Sequence, residues 1–182
     1  MSPLAPMATS PASPAQLAAR VQALVDFYCH VQHERMEGIP LLNPALRVEA
    51  VGFEWAEGEE GAEPVAEGVL ITPWFMSLLR LPSVNLPHGN RVGRKAVRSF
   101  GSERFDFIGA HDPAIGYHET CALFSPMNGF TSQDLARETA LASLALVRPQ
   151  PEAADLAPVA AEPLPARRAF FMARRQEAGA TA

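Results

Sequence analysis

An almost unbroken apolar stretch runs from Gly68 to Leu81 and is interrupted by Pro73. A stretch this apolar has to be buried. Proline has no amide hydrogen to give to a sheet ladder, so the interruption marks an edge or a bulge. Gly68 to Thr72 reads as a short strand. Trp74 to Leu81 fits a buried strand or a helical turn, and periodicity leaves both open. Neither half, nor any other apolar run in the chain, approaches the roughly 20 residues a membrane-crossing helix needs. We therefore expect no integral membrane protein.

The flanking elements can be read from local signals. Ser13 is a candidate N-cap, Pro14 sits at the first helical position, and Gln16 completes a capping pattern. Leu17, Val21, Leu24, Tyr28 and Val31 then form one apolar face, and Gly38 with Pro40 predicts a stop near Met36. Arg47 to Trp55 reads as a strand with Val51, Phe53 and Trp55 on one face and Val48 and Ala50 on the other. Glu57 to Glu67 reads as an acidic loop, so this strand and the Gly68 strand pair as a long hairpin. Pro82 to Gly93 reads as a loop. Lys95–Phe100 and Arg104–Ile108 flank Gly101-Ser102 as a second hairpin. His118 to Phe124 predicts another strand. Thr131 is the expected cap of a helix to about Val147, with Asp134 favouring its positive end. The order predicts an α+β fold: a mostly antiparallel sheet of about five strands flanked by an N-terminal and a C-terminal helix.

The domain organisation follows from composition. Residues 1–12 are Pro/Ala/Ser-rich and are expected to be a disordered tail. Residues 13–148 form the single α+β domain. Residues 149–165 are a Pro/Ala-rich linker expected to be flexible, and 166–182 a basic aromatic tail. The N-terminal segment has neither the positive charge nor the apolar core of a secretory signal, so a cytoplasmic location is expected. The net charge of −5 gives nucleic-acid binding little support.

Two cysteines cannot build a rubredoxin-type site or a four-cysteine zinc site. A mixed site of Cys29, His33, His118 and Cys121 is conceivable. Yet His118 and Cys121 stand three apart on a strand, which sends them to opposite faces. No nucleophile elbow, phosphate loop or dinucleotide fingerprint is present, and no enzyme is expected. Asp106 is a carboxylate in an apolar strand, a position more often solvent-facing than catalytic. The candidate sites are instead apolar. Thr72, Pro73, Trp74, Phe75 and Met76 read either as core or as a groove for a peptide, because aromatic and Met side chains favour such surfaces. Ser125, Pro126 and Met127 invite the same two readings. Arg167, Arg168, Phe170 and Phe171 match the arginine-pair pattern of a twin-arginine signal, but no apolar segment follows them.

These segments carry a family resemblance. Glu34-Arg35-Met36, Ile39 to Leu46, Gly68 to Met76, Cys121 to Met127 and the ARRAFFMARR tail, in that order, resemble the blocks of the HybE/HupJ family of [NiFe]-hydrogenase assembly chaperones. Ala122 stands where the family pattern has serine. The resemblance implies a protein that binds hydrogenase subunit precursors, notably the small subunit with its twin-arginine signal peptide, with the large subunit as a second candidate. Export is then delayed until assembly is complete. It implies no cofactor. Some relatives carry a fused rubredoxin, for which this chain lacks the cysteines. A metal- or cluster-handling accessory protein, using Cys29, Cys121 and nearby histidines, is the competing expectation.

Overall fold

The structure, a computed structural model, describes residues 13–56, 63–85 and 89–148. Helix α1 (Pro14–Arg35) is followed by strands β1 (Glu49–Trp55), β2 (Val65–Ile71) and β3 (Met76–Pro82). After a short 3-10 turn at Gly89–Arg91 come β4 (Lys95–Phe100), β5 (Glu103–Asp112), β6 (Gly116–Phe124) and helix α2 (Gln133–Val147). The strands form one six-stranded sheet in the order β1-β2-β3-β6-β5-β4, with antiparallel pairing throughout. The α+β class and both flanking helices are as the sequence predicts, with six strands in place of about five.

α1 begins where its signals place it. Gln16 N–H donates to Ser13 Oγ, and the Gln16 side chain accepts from Ser13 N–H. The second helix starts one residue later than expected: Ser132, not Thr131, is the cap, accepting from Leu135 N–H. The Trp74–Leu81 ambiguity resolves as strand β3. Its pairing with β2 opposes Ile71 to Met76 and Val69 to Leu78, so Pro73 lies in the hairpin turn and its missing donor costs no ladder bond.

Alternation along the strands makes two cores. Val69, Ile71, Met76, Leu78, Phe100 and Phe107 pack with Ala136, Ala140 and Leu144 of α2. Ala66, Leu70, Leu79 and Leu81 pack on the opposite face with Leu24, Phe27 and Tyr28 of α1. Arg20 anchors α1 by donating to Pro82 O at 3.0 Å and Ile115 O at 2.9 Å.

Two expectations need correction. Val51 does not share a face with Phe53 and Trp55. It packs on the α2 side, and they pack on the α1 side. The pairing shifts between Val51 and Glu54, and Gly52 sits there at φ +61°. One extra residue in a strand reverses every side chain beyond it. In addition, β2 begins at Val65, so Glu67 belongs to the strand and is buried rather than part of an acidic loop. Among the described residues, no helix is long and apolar enough to cross a membrane.

Candidate functional site

The β2–β3 turn is built around Thr72, which is fully buried. Its Oγ accepts from the amides of Trp74 and Phe75 and donates to Phe75 O, while Thr72 N–H donates to the same carbonyl at 2.8 Å. A hydroxyl that both donates and accepts ties a turn whose proline supplies no amide hydrogen. Pro73 and Met76 are buried, and Trp74 and Phe75 are partly exposed. The five residues therefore divide. Thr72, Pro73 and Met76 are enclosed, Phe75 packs one side against the α1-side core, and Trp74 stands beside it partly exposed.

Asn43 brings the other segments to this turn. Its backbone N–H donates to Pro73 O at 2.9 Å. Its side-chain NH2 donates to Met127 O at 3.0 Å and Phe130 O at 2.7 Å, and its Oδ1 accepts from Ala45 N–H. One neutral residue, through its backbone amide and its side chain together, thus joins three loops that lie far apart in sequence. Around this end, Ile39, Leu41 and Phe124 are about two-fifths exposed, and Ser125 and Pro126 are exposed. Met127 is fully buried beneath them, and Phe124 meets Phe130 edge to face at 5.2 Å.

Behind the turn, the Trp74 and Phe75 rings meet edge to face, and Phe75 meets Tyr28 of α1 in the same way at 5.6 Å. Tyr28 donates to His118 Nε2 at 3.4 Å, and His118 Nδ1–H donates to Gly116 O. Burial, with Asp112 nearby, pushes the Tyr28 hydroxyl up to about 12. Burial holds His118 below the usual histidine range. The pair is neutral at pH 7 and acts as a packing element with one polar link.

The competing metal arrangement is not assembled. Cys29 packs in the α1-side core and Cys121 in the α2-side core, with the sheet between them. Burial raises both thiols, the opposite of what a metal ligand needs. His33 Nδ1 meets the Cys29 carbonyl rather than its sulfur. Among the described residues, no three His, Cys, Asp or Glu side chains are placed to hold a metal ion. Asp106 is solvent-exposed on β5. Arg167, Arg168, Phe170 and Phe171 lie outside the described residues, as do residues 57–62 of the acidic segment.

A second polar centre escaped the sequence reading. On the α2 side of the sheet, Glu119 is 5% exposed. It accepts from Arg98 Nε and Nη2 at 2.8–3.0 Å, from Arg80 Nη1 at 2.9 Å and from Tyr117 Oη at 2.9 Å. Arg80 also donates to Glu67 at 2.7 Å and lies over the Phe107 ring. Burial raises the Glu119 carboxyl, but Arg98, Tyr117 and Arg80 outweigh it and hold it below the usual carboxylate range. Burial keeps Glu67 above that range despite Arg80. Beside this network opens a cavity of about 150 Å³ lined by Arg80, Arg91, Arg98, Tyr117, Glu119 and Glu63, among others. The signal available in the sequence was a charged residue at a core-facing register of three strands, visible only once the register is known.

Comparison with known proteins agrees with the blocks quoted above. The chain is 42% identical over 166 residues to Protein HoxT of Cupriavidus necator, covering 88% of this chain and 92% of that protein. It is 37% identical over 131 residues to the hydrogenase expression/formation protein HoxT of Azotobacter vinelandii, covering 71% and 80%. The fold is similar to the solution structure of HybE from Escherichia coli at 18% identity, with a TM-score of 0.52 over 80% of this chain and 91% of that one. The family model for the [NiFe]-hydrogenase assembly chaperone HybE matches residues 19–173, so the chain belongs to that family of hydrogenase assembly chaperones.

Proposed function

We propose that this chaperone binds a hydrogenase small-subunit precursor through the apolar end organised by Asn43. Its role is to retain the precursor in the cytoplasm until assembly is complete, delaying twin-arginine export. The large subunit is the second client to test. The observation that carries this reading is the convergence of three motif-bearing loops on Asn43, which leaves Trp74, Phe75, Phe124 and Pro126 around one end. Half-buried Asn43 and buried Thr72 fix the loops, while aromatic and proline side chains keep exposed surface, an arrangement suited to gripping a peptide. Arg167, Arg168, Phe170 and Phe171 are proposed to contribute through their likeness to the client's arginine-pair signal.

The test is co-purification and titration with three clients: the small-subunit precursor, the same subunit without its signal peptide, and the large subunit. Truncating an anchor, Trp74→Ala, should weaken binding of the true client by about 2 kcal/mol. A folded Trp74→Ala protein that binds all clients as the parent does would refute the assignment of this end. Deleting residues 166–182 should alter binding of the signal-bearing precursor alone. An equal effect on the signal-less subunit would remove the signal-mimicry role from the tail.

A further inference from the structure

We infer that the arginine-lined cavity on the α2 side of the sheet is a recognition site for a carboxylate carried by a peptide. That the carrier is a peptide rests on the proposed function; the carboxylate chemistry does not. Glu119 lines the inner wall, and its two oxygens already accept from Arg98, Arg80 and Tyr117. It has little capacity left for a ligand's donor. The guanidinium groups are different. Arg98 is engaged by Glu119 and by Tyr117, and Arg80 uses Nε and Nη1, so Nη2 of Arg80 keeps its hydrogens for another partner. Arg91 lines the same cavity and makes no ion pair or side-chain hydrogen bond among the described residues. The site therefore offers donors in excess of acceptors, and its ligand must accept.

The shape of those donors selects the acceptor. A guanidinium held by two bonds to Glu119 presents its remaining edge in a fixed plane, and a carboxylate matches such edges. Val65 and Pro82 supply an apolar wall for the methylenes that carry it. Glu63, held by Ser83 at the rim, opposes a dianion such as phosphate. The turn bearing Arg91 is brought close by Gly109. A Cβ there would stand 2.3 Å from Arg91 O and 2.8 Å from Tyr117 Oη. The lack of a side chain is what lets the third arginine approach. A network of buried charges seldom stabilises a fold more than apolar residues of the same size would, so its retention beside a cavity suits a binding role.

The full chain is titrated, with arginine Nε–H and backbone amide resonances followed by NMR. Four probes are used: a short blocked peptide with one glutamate side chain, a neutral peptide with a free C-terminal carboxylate, the same neutral peptide amidated, and inorganic phosphate. We expect saturable shifts at Arg91, Arg98 and Gly109 with one or both carboxylate peptides, and none with the amidated control. Which carboxylate peptide binds identifies the source as a side chain or a chain end. Arg91→Gln, at an exposed position outside the Glu119 network, should weaken that binding about tenfold, as expected for losing a charge-assisted bond. Equal shifts with the amidated peptide, tighter binding of phosphate, no saturation with either carboxylate, or an unchanged affinity in Arg91→Gln would each overturn the assignment. Peptide binding here without client binding at the Trp74 end would reject the proposed function and leave this site standing.

Discussion

Asn43 and Glu119 are both hubs, and they work with opposite chemistry. Asn43 is neutral and joins loops, mainly through their backbone carbonyls. Glu119 is charged and joins strands, through arginine and tyrosine side chains. An amide spends its few donors and acceptor in fixed directions and leaves nothing over. A carboxylate ringed by guanidinium groups leaves unused hydrogens at its periphery. The first kind of hub shapes a surface by fixing backbone; the second creates donors that face outward. The neutral hub should be indifferent to salt and pH, and the charged one should not.

The largest effect should come from breaking the charged hub. Glu119→Leu leaves Arg98 without its carboxylate, and Arg80 with Glu67 alone, and should cost about 3 kcal/mol or more in a urea unfolding measurement. A loss under about 1 kcal/mol would mean that the network is screened like a surface ion pair, and the contrast between the hubs would vanish.

Asn43→Ala should come next, at about 2 kcal/mol, because the Phe130 carbonyl loses its side-chain donor and the Met127 carbonyl keeps only Phe130 N–H. The loss should be the same at low and high salt. Asn43→Asp should be worse than alanine, since a carboxylate would face two carbonyl oxygens. Amide exchange at Ala45 should quicken in Asn43→Ala, because its bond to Asn43 Oδ1 is lost, and not in Asn43→Asp, whose carboxylate still accepts it. A salt-dependent loss in Asn43→Ala would break the comparison from the other side.

The smallest effect is a pH dependence with two limbs. Glu67 is held above the carboxylate range, so it contributes stability that appears as pH falls through its folded value and is complete below its unfolded one. Glu119 is held below the range, so its contribution is present above the unfolded value, roughly 4.3, and is lost as pH falls further. His118, held below roughly 6.5, loses its contribution as pH falls through that interval and partly masks the Glu67 limb. Subtracting the pH–stability profile of Glu67→Gln from that of the parent should isolate the rising limb. A flat difference above pH 4.3 would show that Glu67 titrates as an ordinary surface carboxylate.

Legibility followed the range of the interactions. The α1 cap, the Gly101-Ser102 hairpin and the strand-like alternation of β4 and β6 are decided within a few residues, and each was readable. The Thr72–Met76 and Ser125–Met127 segments were also readable as apolar blocks. That Thr72, Pro73, Met76 and Met127 are buried while Trp74, Ser125 and Pro126 keep exposure was not. The metal alternative shows the same limit: the i, i+3 spacing of His118 and Cys121 already placed them on opposite faces. Where Cys29 lay relative to either depended on how α1 packs.

By itself, then, the sequence determined the ends of the first helix, the second to within a residue at its start, most of the strands, the class of fold and, through its blocks, the family. Those properties rest on backbone propensity, capping and period, which are local. Tertiary structure alone decided the face reversal at Gly52, the meeting of loops on Asn43 and the network at Glu119. Arg80 and Glu119 stand 39 residues apart, and Asn43 and Phe130 87 apart. Nothing in either member of such a pair names its partner. Sheet register and the packing of two helices bring them within 3 Å, and only then does a charged side chain in a strand become a buried hub.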